Sequence, residues 1–219
     1  MPLLKVDLLT FLNNCKHVTT FLQNLDIDVL GVPDYVLDQC YEVVIARSKN
    51  TIVIPRAVFE SSQNRLLPKS FELKTRLYTC VPKDLATARS LAKLGGVYTI
   101  ALRADTIRLI DENEINLLTQ VKVRKFIEVH LYSFIERLKH EDKRVSLERL
   151  LYFLSETIER ALRRDVPVVV SSASPQLDQA LHPNQIDVLL FLLGFTKRER
   201  RMMLEVYPME LLSTWREWR

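Results

Sequence analysis

The side chains best placed to do chemistry in this chain sit at the ends of short apolar segments. His130 closes Phe126-Ile-Glu-Val-His130, and an imidazole at a strand end can exchange a proton or donate to a phosphate. Asp7 closes Leu3-Leu-Lys-Val-Asp7, and Ser171-Ser172 closes Val166-Pro-Val-Val-Val-Ser-Ser172. A nucleophilic serine needs a base and a sharp, glycine-flanked turn. No glycine flanks Ser171 or Ser172, so a nucleophilic serine is not expected, and Asp7 is expected to have a structural hydrogen-bonding role. Two readings of His130 stay open: contact with a polyanionic partner, or a ring satisfied by local hydrogen bonds.

Several chemistries have no foothold in the pattern. His17, His130, His140 and His182 are too scattered to suggest a metal cluster. Gly31, Gly95, Gly96 and Gly194 form neither a phosphate-cradling loop nor a dinucleotide fingerprint. Cys15, Cys40 and Cys80 are odd in number and widely spaced, so three buried thiols are expected rather than a disulfide framework or zinc site.

The basic residues carry more signal. A net charge of +4 and a pI near 9.0 favour a polyanionic partner. Arg56, Arg76 and Arg103 lie within or just beyond strand-like segments, where an arginine tends to have a specific partner. Lys122, Arg124 and Lys125 precede the Phe126 segment, and Arg137, Lys139, Lys143 and Arg144 follow it. A strand puts its two ends on opposite rims, so only a bent connection would join these groups into one patch. Arg198, Arg200 and Arg201 form a third basic run, diluted by Glu199 and Glu205, with Met202, Met203 and Val206 expected to face the core.

These residues must be positioned by alternating strands and helices. Strands are expected at Leu4–Leu8, Val29–Val32, Thr51–Ile54, Leu73–Cys80, Val97–Leu102, Thr106–Ile110, Phe126–Leu131 and Val166–Ser171. The rest of Asp105–Gln120 and Ala173–Leu181 read as irregular connections. Helices are expected over Leu9–Leu25, Lys83–Leu94, Ser146–Arg164, His182–Gly194 and Thr196–Pro208. In the third of these, Leu147, Leu150, Leu151, Leu154, Ile158, Ala161 and Leu162 share one face, while Glu156 to Arg160 and Glu159 to Arg163 have ion-pair spacing on the other. Thr196 and Glu199 form a capping box. Trp215 and Trp218 near the chain end read as a docking surface or, more simply, as rings folded back onto the domain. No apolar run approaches the ~18 residues needed to cross a bilayer, and the opening lacks a signal-peptide pattern. About eight strands in 219 residues point to one α/β domain spanning 1–219, a TIM-barrel-like (β/α) barrel with C-terminal helices.

The order of elements from Phe126 to Trp215, with Val168-Val-Val-Ser-Ser172, Leu189-Leu-Phe-Leu-Leu-Gly194 and the Tyr207-Pro208 pair, resembles the closing third of the archaeal ribonuclease P protein component 3 family. That resemblance implies a barrel-shaped protein subunit of ribonuclease P, supporting RNA-catalysed endonucleolytic removal of the 5′ leader from precursor tRNA. It implies as partners the catalytic RNA, ribonuclease P protein component 2, other protein subunits and precursor tRNA. It also implies a cytoplasmic protein with no cofactor on this chain, the magnesium being held at the RNA active site. The alternatives are a metal-dependent phosphoesterase of the related barrel class, which carries His-x-His on the first strand where this chain has Val6-Asp7-Leu8, or a non-enzymatic interaction barrel in another assembly. Under the ribonuclease P reading, Arg56, Arg76, Arg103, Lys122, Arg124, Lys125 and His130 are the expected RNA contacts. The polypeptide alone is expected to be non-catalytic.

Overall fold

β-strands and helices alternate through the computed structural model, which describes residues 4–12, 14–24, 26–47, 51–68, 74–139 and 147–218. The strands are β1 (Val6–Asp7), β2 (Val29–Pro33), β3 (Ile52–Ser61), β4 (Leu77–Pro82), β5 (Thr99–Leu102), β6 (Phe126–His130) and β7 (Val168–Ser171). They lie side by side in chain order, every neighbouring pair parallel. Parallel neighbours require a crossover, and helices supply it at every connection between strands other than β3 to β4, where no helix is named among the described residues. Beyond the strand ends Ala173 N–H donates to Leu9 O at 2.8 Å and Phe11 N–H to Ser174 O at 2.8 Å, which brings the last strand round to the first. The product is a nearly closed, single-domain, TIM-barrel-like α/β fold, as expected.

The connecting helices are α1 (Cys15–Asn24), α2 (Asp34–Arg47), α3 (Leu85–Lys93), α4 (Glu112–Leu118), α5 (Leu131–Lys139), α6 (Leu147–Arg163) and α7 (Pro183–Leu192); α8 (Lys197–Arg201) and α9 (Tyr207–Trp218) close the chain. Local chemistry sets several ends. Asp84 caps α3 by accepting from Thr87 N–H at 2.7 Å, and Thr196 and Glu199 form the expected capping box on α8. On α6, Leu150, Leu154, Ile158 and Ala161 are buried, and the Glu156–Arg160 and Glu159–Arg163 pairs form on the opposite side.

Strand pleating divides the core. Ile127 and Val129 of β6 and Val168 and Val170 of β7 face outward, packing with Leu150, Leu154 and Ile158 of α6. Phe126 and Val169 face inward, where they form a layer with Val6, Val29, Ile54 and Leu77. Tyr207, Leu211 and Trp215 of α9 pack onto this layer at the N-terminal ends of the strands. Trp215 therefore folds back to plug the barrel floor.

Some expectations are corrected. Seven strands form among the described residues, not eight: Thr106–Ile110 becomes a 3₁₀ turn at Ile107–Leu109 leading into α4, whose start is fixed by Asp111 accepting from Glu114 N–H at 2.9 Å. Ile107 and Ile110 are buried with Arg108 turned outward, a spacing of three that suits a 3₁₀ turn better than a strand. β3 runs through Pro55 to Ser61, since β4 pairs with it only from Arg56 onward. The sequence pattern does not announce α2, α4 and α5; α2 exposes Tyr41 and Val43 and so lacks a clean polar face. Cys15 and Cys40 are joined by a disulfide between α1 and α2, with Cα atoms 5.5 Å apart, and Cys80 alone is a buried thiol. Val206 is exposed. From α8 to α9 the chain is one helical rod widened at Met202–Val206 into π geometry. That wide turn ends two residues before Pro208, which lacks an N–H and crowds the preceding carbonyls. The beginning of the Leu73 strand, His140, Lys143 and Arg144 lie outside the described residues.

Candidate nucleic-acid interface

Above the apolar floor the barrel interior becomes polar. Arg56 projects inward from β3 and meets Glu128 of β6, Nη2 to Oε2 at 2.5 Å, with both side chains fully buried. Thr79 and Thr99 hydroxyls donate to the same carboxylate oxygen at 2.5 Å, and Ser171 Oγ donates to Oε1 at 2.7 Å. Gly31 makes this possible: a Cβ there would lie 2.8 Å from Arg56 Cγ and 1.7 Å from Leu8 O. Burial alone would raise the Glu128 pKa, but the Arg56 guanidinium and the hydroxyl donors outweigh it and hold the carboxyl at about 2.

His130 follows on the same strand, closed in beside Phe11 in an edge contact with ring centroids 6.1 Å apart. Burial pushes its pKa down to about 4, so the ring is neutral at ordinary pH. Asp7 accepts from Ser172 N–H at 3.1 Å, from Leu9 N–H at 3.3 Å and from the Ser172 hydroxyl. Burial lifts its pKa to about 7 against those hydrogen bonds. The serine pair is thus occupied with two carboxylates, Glu128 and Asp7, which matches the expected hydrogen-bonding role of Asp7.

Three expected RNA contacts are corrected by this geometry. Arg56 is sealed inside the barrel by Glu128, and His130 is shielded at the end of β6. Lys125 donates to Gly96 O at 2.6 Å and lies 4.1 Å from the centre of the Tyr98 ring, almost wholly buried. None of the three presents charge to a phosphate. The other four reach the surface. Arg76 pairs with Asp34 at 2.6 Å and approaches Asp38 at 3.8 Å; Arg103 pairs with Asp105 at 3.2 Å and Glu60 at 3.6 Å; Arg124 pairs with Glu210 at 2.5 Å and Asp165 at 2.9 Å. Lys122 is exposed.

Among the described residues, the basic groups flanking β6 do not merge. Lys122, Arg124 and Arg164 border a cleft of about 190 Å³ ahead of β6 and β7. Arg137 of α5 instead lines a separate cleft of about 300 Å³ with Arg108 and Arg149. The third basic run is largely occupied: Arg200 pairs with Asp187 at 2.7 Å and Arg201 with Glu205 at 3.2 Å. The sequence pattern conceals Arg108 and Arg149, because one reads as part of a strand and the other as a solvated helix face. Among the described residues, no group of three or more His, Cys, Asp or Glu side chains is arranged to hold a metal ion, and no helix is long and apolar enough to cross a membrane.

No family model and no curated protein matches the chain. Among solved structures it is similar to a chain of the cryo-EM structure of archaeal ribonuclease P with mature tRNA, with a TM-score of 0.68 and 20% identity over 94% of this chain and 89% of that one. At that identity the likeness establishes a shared barrel fold.

Proposed function

We propose that this protein is a subunit of ribonuclease P that supports RNA-catalysed removal of the 5′ leader from precursor tRNA, without cleaving RNA itself. The observation that carries the reading is the near full-length match of the barrel to a chain of archaeal ribonuclease P solved with mature tRNA. The family resemblance of the C-terminal elements supports it independently. The interior fits a bracing role: Arg56 and Glu128 are locked together, and Ser171 and Ser172 are committed to Glu128 and Asp7, so neither serine is left free as a nucleophile.

In this reading the partners are the catalytic RNA, ribonuclease P protein component 2 with the other protein subunits, and precursor tRNA, with magnesium held by the RNA. Arg76, Arg103, Lys122 and Arg124 are the proposed RNA contacts that survive from the sequence reading, since each reaches the surface. Phosphate contacts of this kind supply affinity and position without reading sequence. The phosphoesterase alternative is not favoured: Val6-Asp7-Leu8 replaces the His-x-His pair, and Asp7 is held by Ser172 and Leu9.

Reconstitution tests the proposal. Precursor tRNA incubated with magnesium and this chain alone should stay intact, and adding the chain to the catalytic RNA with companion proteins should raise specific 5′ cleavage. Cleavage by the lone chain, or a reconstituted particle indifferent to its presence, overturns the assignment.

A further inference from the structure

The surface cations differ in how far their charge is already neutralised. Arg76, Arg103 and Arg124 each lie beside carboxylates. Arg108 and Arg137 are exposed, and among the described residues neither has an acidic group within ion-pair distance. They come from different elements, the 3₁₀ turn after β5 and helix α5, yet line one cleft of about 300 Å³ together with Arg149 of α6. Among the described residues the one carboxylate in its wall, Asp105, is engaged by Arg103 at 3.2 Å. Among the described residues, Arg108 and Arg137 thus bring two guanidiniums without an acidic partner to one concavity, with the Arg149 guanidinium beside them.

The floor of the cleft is apolar. Ile107, Leu150 and Phe153 form it, and the Arg149 guanidinium carbon lies 5.5 Å from the centre of the Phe153 ring. The next ring, Tyr152, is 61% exposed and stands in edge contact with Phe153, centroids 6.0 Å apart. Guanidiniums above an apolar floor with an exposed aromatic beside it suit a nucleotide better than a simple anion. Arginine planes and aromatic faces stack on unpaired bases, while the guanidinium N–H groups take the phosphate oxygens. A cleft of about 300 Å³ has room for one splayed nucleotide.

We propose that the cleft framed by Arg108, Arg137 and Arg149 binds the backbone of single-stranded or looped RNA, with Tyr152 offering a stacking face. This inference rests on the ribonuclease P reading and assigns RNA to a surface that reading left unassigned.

The test uses the full chain and a fluorescently labelled oligouridylate, with binding measured by anisotropy over a range of salt concentrations. Arg108→Ala/Arg137→Ala should flatten the log–log salt dependence by about 1.4, roughly 0.7 for each single-strand phosphate that is no longer neutralised. Tyr152→Ala should weaken binding severalfold with the slope unchanged, and Arg163→Ala, an exposed charge near the other end of α6, should leave both as in the wild type. A thermal melt confirms that each variant is folded. An unchanged slope and affinity in the double variant overturn the inference. So does an equal loss for polyglutamate, which would mark a cleft for acidic peptide. If the wild type ignores oligouridylate yet promotes cleavage in the reconstituted particle, the cleft assignment falls and the ribonuclease P reading stands. If the wild type does neither, both fall.

Discussion

Arg56 of β3 and Glu128 of β6, 72 residues apart in the chain, meet at 2.5 Å inside the barrel with no exposure on either side. The arginine is therefore part of the fold, and the consequences of changing it concern stability. Arg56→Met should destabilise the protein by about 3–5 kcal/mol, because it strands a buried carboxylate. Arg56→Met/Glu128→Gln should recover a large part of that loss. A double-mutant cycle by urea denaturation checks both, and additive effects would show that the pair is not coupled.

Asp7 makes stability depend on pH. Its folded pKa is raised to about 7 from 3.8, so the folded state holds the proton more tightly than the unfolded chain. The contribution is fully present below pH 3.8 and is lost as pH rises towards and through about 7. Asp7→Asn keeps acceptors for Ser172 and Leu9 N–H and removes the titration. The melting temperature of the variant should gain on that of the wild type between those limits and exceed it at pH 8; parallel curves would refute the shift.

Trp215 anchors α9 to the barrel floor beside Leu211 and Tyr207. Trp215→Ala should cost about 3–5 kcal/mol, as for other large-to-small changes in a core. Trp218→Ala, at a less buried ring, should cost less. Chemical denaturation of the two variants orders them.

The cluster ahead of β6 should divide by burial. Lys122→Ala should change stability by less than about 0.5 kcal/mol, like other exposed charges. Lys125→Ala should destabilise clearly, since it removes the donor to Gly96 O and the cation beside Tyr98. If RNA is held at this rim, the salt slope of binding to the catalytic RNA should fall for Lys122→Ala in proportion to one phosphate. Equal stability of the two variants would contradict the burial of Lys125.

The sequence by itself determined what depends on neighbours a few residues away. The apolar stripe and ion pairs of α6, the Thr196 and Glu199 cap, and the strands β6 and β7 are all legible in it. The alternation of short apolar segments with helices is enough to announce a barrel. Tertiary structure decided which charges face inward and which clefts form. Arg56, Lys125 and His130 look like surface candidates in a linear reading, but pleat phase and inter-strand register turn Arg56 and His130 inside, register being fixed by partners far along the chain, and Lys125 is covered beside Gly96 and Tyr98. The Cys15–Cys40 bond becomes visible only once two helices pack side by side. Arg108, Arg137 and Arg149 belong to three elements with no shared motif, so only packing the turn after β5 against α5 and α6 makes them one cleft.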